Sequence, residues 1–95
     1  MSLKLIARIE HYGNAGYLAY IDSMKGMVEM ATTPEDAMKE LLISLKVKLA
    51  HTLGIGLDGL QESVIKHLDE YKIEKIQLNE GGYIEKEINL NTFVC

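Results

Sequence analysis

The feature that most constrains this chain is a strong helix-start signal at Thr33. The Thr33 hydroxyl can accept a hydrogen bond from a first-turn N–H, and Pro34 fits the first helical position, where no donor is needed. Glu35 and Asp36 place negative charge at the positive end of the helix dipole. Apolar side chains then recur at spacings of three and four: Met38, Leu41, Leu42, Leu45 and Leu49. The pattern predicts an amphipathic helix over 34–53, about 30 Å long and closed by the glycine that follows it.

The residues before this helix alternate with the period of two that is typical of strands. We predict three strands joined by glycine-containing turns, over 3–10, 17–21 and 27–31. Connections of about five residues join neighbouring antiparallel strands, so these three should form a meander. Ile6 interrupts the polar side of the first strand, and we therefore expect the second face of the sheet to be partly covered.

The residues after the helix predict a shorter helix and a hairpin. Asp58 followed by Gln61 is a capping-box pattern, and the apolar positions after it extend a helix to about Glu70. Residues 72–80 read as extended, and the Gly81-Gly82 pair indicates a hairpin turn into a last strand over 84–90. Lys86 lies on the otherwise apolar side of that strand, which favours an edge position.

Together these elements predict an α+β fold class. The expected order is β-β-β-α-α-β-β, an antiparallel sheet with one long helix packed on one face. The 95 residues are enough for a single domain, 1–95, with one hydrophobic core.

Composition argues against several classes of protein. The formal net charge of −4 disfavours a sequence-independent nucleic-acid binder, because such proteins depend on Lys and Arg to displace counterions from phosphates. The acidic excess lies from Leu57 onward, where there are eight acidic and four basic residues. The single cysteine, Cys95, cannot form an internal disulfide. No signal peptide or membrane-length apolar run is present, and we expect a cytoplasmic protein that does not bind membranes.

The sequence gives no clear sign of catalytic or metal chemistry. The three histidines lack metal-ligand spacing, and separate surface positions are the simpler interpretation: His11, His51 and His67. Adjacent or alternating carboxylates are most simply explained as solvated groups: Glu35 with Asp36, Asp69 with Glu70, and Glu85 with Glu87. Gly54-Ile55-Gly56 follows a helix instead of a strand, so it is better explained as a helix stop than as a phosphate loop. We predict no catalytic residue, no cofactor and no metal.

One run of residues resembles a known family. Its members, in order and spacing, are Gly16, Tyr17, Asp22, Gly26, Thr33, Glu35, Asp36 and Ala37. The run is similar to the N-terminal domain of HicB-type antitoxins, which shows a Gly-Tyr strand, an Asp-x-x-Gly turn and a Thr-x-Glu-Glu-Ala helix start. The resemblance covers 3–53 and leaves 57–95 as an added helix and hairpin. The turn at Asp22 is one residue longer than in the family, and Ile21 stands where proline is common.

The resemblance implies a reduced RNase-H-like or dsRBD-like sheet carrying one main helix. It also implies a non-enzymatic domain that neutralises a small, HicA-like ribonuclease toxin by occlusion. The quoted residues would then be either structural or partner-facing. Family members often add a DNA-binding domain, but no basic recognition helix follows Gly56, so nucleic-acid binding by this chain alone is not expected.

Three hypotheses remain open on the sequence. The first is the toxin-binding module. The second is an orphan relative that forms homo-oligomers, dimers or higher, through strand edges such as the hairpin at 73–90. The third, a small RNA binder or enzyme, would need RNA affinity that falls steeply with salt, or a concave site with perturbed titratable groups. A small basic reading frame beside the gene would favour the first over the second.

Overall fold

A computed structural model describes residues 2–60, 62–69 and 75–91 of the chain. The elements in order are β1 (Ser2–Tyr12), β2 (Gly16–Ile21), β3 (Val28–Ala31), α1 (Pro34–Leu53), α2 (Glu62–Asp69) and β4 (Tyr83–Asn91). Single 3₁₀ turns lie at Gly13–Ala15 and Leu57–Gly59. The predicted α+β fold class is confirmed, because the strands form one antiparallel sheet and α1 packs on one of its faces.

The four strands lie in the order β3-β2-β1-β4, with every pair antiparallel. β1 lies between β2 and β4: Ala7–Tyr12 pair with β2 and Ser2–Glu10 pair with β4, so that Ala7 lies opposite Ile21 on one side and Lys86 on the other. β3 and β4 are the two edges. The edge position that Lys86 predicted for the last strand is therefore confirmed.

The helix cap predicted at Thr33 is present. The Asp36 N–H donates to Thr33 Oγ1 at 3.1 Å, and Pro34 occupies the first turn. Gly54 closes the helix in the left-handed conformation, with φ of 71°. The five apolar residues of the predicted stripe are all buried, where they pack against the inner faces of the strands: Met38, Leu41, Leu42, Leu45 and Leu49.

The second helix joins the same core but starts later than predicted. Leu60, Val64 and Leu68 are buried in the α1–sheet core. Asp58 lies in a 3₁₀ turn and does not cap α2, because that helix begins at Glu62; Gln61, its expected capping partner, and Glu70 lie outside the described residues. The carboxylate of Asp69 instead accepts a hydrogen bond from Lys46 Nζ at 2.6 Å, which ties α2 to α1.

The strand predicted over 72–80 is wrong for residues 75–79, which form neither strand nor helix, while 72–74 lie outside the description. The backbone N–H of Ile76 donates to Glu35 Oε2 at 2.6 Å, at the first turn of α1. Ile76 is buried and Leu78 packs against the core. The apolar alternation therefore reflects packing beside the helix start, since a side-chain carboxylate takes the amide that a ladder would use. The chain then turns at Gly82, where the N–H donates to Asn79 O, and enters β4.

Within the part of the chain that the structure describes, no helix is both long enough and apolar enough to cross a membrane.

Candidate functional site

The face of the sheet turned away from α1 is left uncovered by the described elements. The strand register places on it one row from each strand: Lys4, Ile6, Arg8 and Glu10 of β1, Leu18 and Tyr20 of β2, Val28 and Met30 of β3, and Tyr83, Glu85, Glu87 and Asn89 of β4. We call this the open face. Ile6, from which we expected partial cover of this face, lies on it and is 40% exposed.

One half of the open face is apolar. Leu18 lies opposite Met30 and Tyr20 lies opposite Val28, so the four side chains form a two-by-two block on β2 and β3. Val28 and Met30 are each 48% exposed, although both are large and apolar. Such a cluster at a sheet surface is typical of a protein-binding patch, because exposed apolar area is stabilised when a partner covers it.

A shallow hollow of about 340 Å³ adjoins this block at the β2–β3 turn. Its walls combine block residues with the turn itself, including Asp22, Met24, Lys25 and Gly26. Gly26 has φ of 82°, a conformation that side chains other than glycine rarely adopt. Two of the eight residues that carry the family resemblance therefore line the hollow.

The other half of the open face is charged, and Arg8 is at its centre. The Arg8 guanidinium lies 4.1 Å from the centroid of the Tyr83 ring, a cation–π geometry. Its Nε atom is buried and lies 3.4 Å from Glu10 Oε2, an ion-pair contact whose geometry falls short of a hydrogen bond. Partial burial, together with the nearby Glu10 carboxylate, raises the pKa of Tyr20 above its ordinary value. Arg8 thus joins the apolar and charged halves.

The outer strand adds carboxylates to this half. Lys4 Nζ lies 3.3 Å from Glu87 Oε2, and the Asn89 side-chain amide donates to Glu87 Oε1 at 2.6 Å. These hydrogen bonds, from Asn89 and then Lys4, hold the pKa of Glu87 below its ordinary value. Among the described residues, both cations of the open face have acidic partners, whereas the exposed carboxylate of Glu85 has no ion-pair partner.

Five other residues of the family-like run lie at the opposite end of β2 or at the start of α1. Gly16 has φ of 115°, and a Cβ there would lie 2.3 Å from the Ala31 carbonyl oxygen. The Tyr17 ring meets His11 edge-to-face, with centroids 5.2 Å apart. Thr33 caps α1, and the Glu35 carboxylate accepts a hydrogen bond from the Ile76 N–H. Ala37 is fully buried on the inner side of α1. Each of these five has a structural role, whereas the eighth residue, Asp36, is exposed in the first helical turn.

The histidines do not come together among the described residues. His11 and His51 are exposed on different elements, and the side chain of His67 lies outside the described set. Among the described residues, no group of three or more His, Cys, Asp or Glu side chains could hold a metal ion.

The comparisons with known proteins add no relative. No protein-family model matches this chain, and no curated protein or solved structure matches it either. The similarity to HicB-type antitoxins therefore stays a prediction from the sequence.

Sequence reasoning did not single out the apolar block or the stacking of Arg8 on Tyr83. A signal for the block is present, because residues 17–21 and 27–31 carry apolar side chains at both odd and even positions. Arg8 and Tyr83 are far apart in the chain, and only the β1–β4 register brings them side by side.

Proposed function

We propose that this protein is a non-catalytic binding domain that neutralises a small HicA-like ribonuclease toxin by covering its RNA-cleaving surface. The observation that carries the proposal is the open face, where an exposed apolar block adjoins a charged half with a free carboxylate. Apolar area supplies the binding free energy, and the charged rim supplies orientation and specificity.

The charge distribution supports a basic partner. The chain carries a formal net charge of −4, and both cations of the open face have carboxylate neighbours. A ribonuclease must attract a polyanion, so its RNA-binding surface carries positive charge. Complementary electrostatic potentials speed the encounter of such partners, and the charged half of the open face, with more carboxylates than cations, fits this role.

The family-like residues would support this function without all touching the partner. Thr33, Glu35 and Ala37 fasten α1 and the 75–79 segment to the sheet, and Gly16 permits close packing of β2 on the end of β3. A rigid sheet presents its open face in one shape, which lowers the entropy lost on binding. Asp22 and Gly26 line the hollow, and in this proposal they are the two residues that would meet a partner on that face.

The test uses the protein encoded by the neighbouring small basic reading frame. That protein is purified and its cleavage of a single-stranded RNA is followed with and without an equimolar amount of this chain. We expect cleavage to be suppressed. Undiminished cleavage, or a neighbouring protein with no RNA-cleaving activity, would contradict the proposal.

Variants of the open face make the test specific. Leu18→Lys places a charge inside the apolar block, and Glu85→Lys reverses the one carboxylate of the open face that has no ion-pair partner among the described residues. Each should weaken inhibition by about tenfold or more. Glu62→Lys is the matched control, because Glu62 is exposed on α2 away from the open face. Equal inhibition by all three variants would show that the partner binds elsewhere.

A further inference from the structure

Among the described residues, the outer edge of β3 pairs with no other strand, and exposed apolar side chains border it on the open face and on α1. The Ile21 N–H donates to Met27 O at 3.1 Å, which directs the backbone groups of Met27 toward β2. Because successive residues of an antiparallel strand direct these groups to opposite sides, the Val28 carbonyl and both backbone groups of Met30 face outward. Val28 and Met30 are also the exposed apolar side chains of the open face at this edge.

A groove runs along the other side of the same edge, between β3 and α1. It has a volume of about 350 Å³ and is lined from the helix by Ile43, Ser44, Val47, Lys48 and His51, and from the sheet by Gly26, Met27 and Glu29. Ile43 and Val47 are exposed there, although both are β-branched and apolar. The Glu29 carboxylate is held against α1 by a hydrogen bond from Ser44 Oγ, at 2.5 Å, and so does not extend freely from the edge.

The charges along this side of α1 are arranged in opposite halves. Glu40 lies one turn before the apolar pair, and Lys48 and His51 lie after it. An antiparallel copy of the same helix would bring the acidic half of one against the basic half of the other. With Ser44 near the centre of the contact, Glu40 of one copy would lie opposite Lys48 of the other, and Val47 would lie one turn from the centre.

We propose that a second copy of this chain occupies the edge, in a two-fold dimer that pairs β3 with β3 and α1 with α1. The Glu29–Ser44 hydrogen bond shows that the middle of β3 and the middle of α1 lie at the same level. One two-fold axis at that level therefore pairs both layers at once. The product is a continuous eight-stranded sheet with both long helices on the same face.

The distances between layers allow this arrangement. α1 contacts β3 and β2 more than β1, so it lies close to this edge. Strands pair at about 4.8 Å, so helices set half a strand to one strand behind each edge would be roughly 10–14 Å apart. Packed helices lie about 8–10 Å apart, and the side chains of Val47 and His51 span the remaining gap.

The first test is the molar mass of the intact protein by sedimentation equilibrium over a range of concentrations. We expect a mass approaching twice the 10.7 kDa of one chain. Val47→Glu should weaken association by about tenfold or more, because it places a charge where the two α1 helices of the proposed dimer would meet. Leu57→Glu is the control: Leu57 and Val47 are each 52% exposed, but Leu57 lies in the turn after α1, away from the edge.

A charge exchange tests the orientation of the helices. Glu40→Lys alone faces Lys48 and His51 of the second copy with like charge, and Lys48→Glu alone faces Glu40 in the same way. Both single variants should associate less, and the double variant should recover the wild-type mass. Recovery is a result that general destabilisation cannot produce.

Three results would overturn the proposal. The first is a monomer at all concentrations. The second is a dimer that Val47→Glu leaves intact, which would put the interface elsewhere. The third is equal loss in Val47→Glu and Leu57→Glu with folding retained. The dimer is independent of the proposed ribonuclease partner: Val47→Glu should leave inhibition unchanged, and Leu18→Lys should leave the dimer unchanged.

Discussion

The two edges of the sheet are built on opposite principles. β4 is a strand of nine residues with Glu85 and Glu87 on the open face and Lys86 on the helix side. β3 is a strand of four residues with exposed Val28 and Met30 on one side and the α1 groove on the other. Charges on both sides of an edge oppose pairing with another strand, whereas apolar side chains favour it.

This difference shows that edge position alone does not predict association. The sequence points to the hairpin at 73–90 as an exposed edge for oligomers, and β4 is indeed an edge strand. Its carboxylates, however, would face like charges in most self-pairings, which is unfavourable. The shorter β3 carries the surface that a second copy would cover. The following predictions test this contrast, from the largest expected effect to the smallest.

Gly16→Ala, at the end of β2 beside β3, should lower the free energy of unfolding by about 3 kcal/mol. The added Cβ would lie 2.3 Å from the Ala31 carbonyl oxygen, and φ is already 115°. The midpoint and slope of urea unfolding measure the effect. Gly82→Ala, in the turn before β4, is the control: φ there is 79° but no atom lies within 4 Å, so only strain of about 1 kcal/mol is expected. Similar losses in both would contradict the steric explanation.

Glu35→Ala should destabilise the protein by about 2 kcal/mol, because it leaves the Ile76 N–H without its charge-assisted acceptor. The 75–79 segment leads into β4, so hydrogen exchange should accelerate in β4 before β3. Asp36→Ala removes a neighbouring carboxylate whose main contribution is to the helix dipole, and should cost about 0.5 kcal/mol. An equal loss of hydrogen-exchange protection in β4 and β3 would show that Glu35 stabilises α1 as a whole and not the 75–79 segment.

Glu85→Val combined with Lys86→Val should make the β4 edge weakly associating. The double variant gives β4 an apolar side chain on each side and removes two of the three charges that oppose strand pairing, Glu87 being the third. Light scattering at high concentration should report a mass above that of the wild type. The control is Lys75→Val with Glu80→Val, which makes the same changes at exposed positions outside the strand. An unchanged mass in the β4 variant would show that its charges do not protect it.

Local patterns in the sequence carried most of the fold. Thr33 and Pro34 identify the start of α1, the leucine spacing identifies its buried side, and Gly54 identifies its end. These signals depend on residues within one or two turns, so they need no knowledge of distant contacts. The strand predicted for the 75–79 segment is wrong because local patterns do not report distant contacts. Its apolar alternation resembles a strand, but the Ile76 N–H donates to Glu35, 41 residues away.

The sequence by itself therefore determined most of the strands and helices, with the 75–79 segment as the exception, and that one long helix covers one side of the sheet. Only the tertiary structure decided which edge is left apolar and which residues form the open face. The register that sets Arg8 beside Tyr83, and the position of α1 over β2 and β3, are sums of many distant contacts. No single stretch of the chain contains that information, because it arises from how the elements pack together.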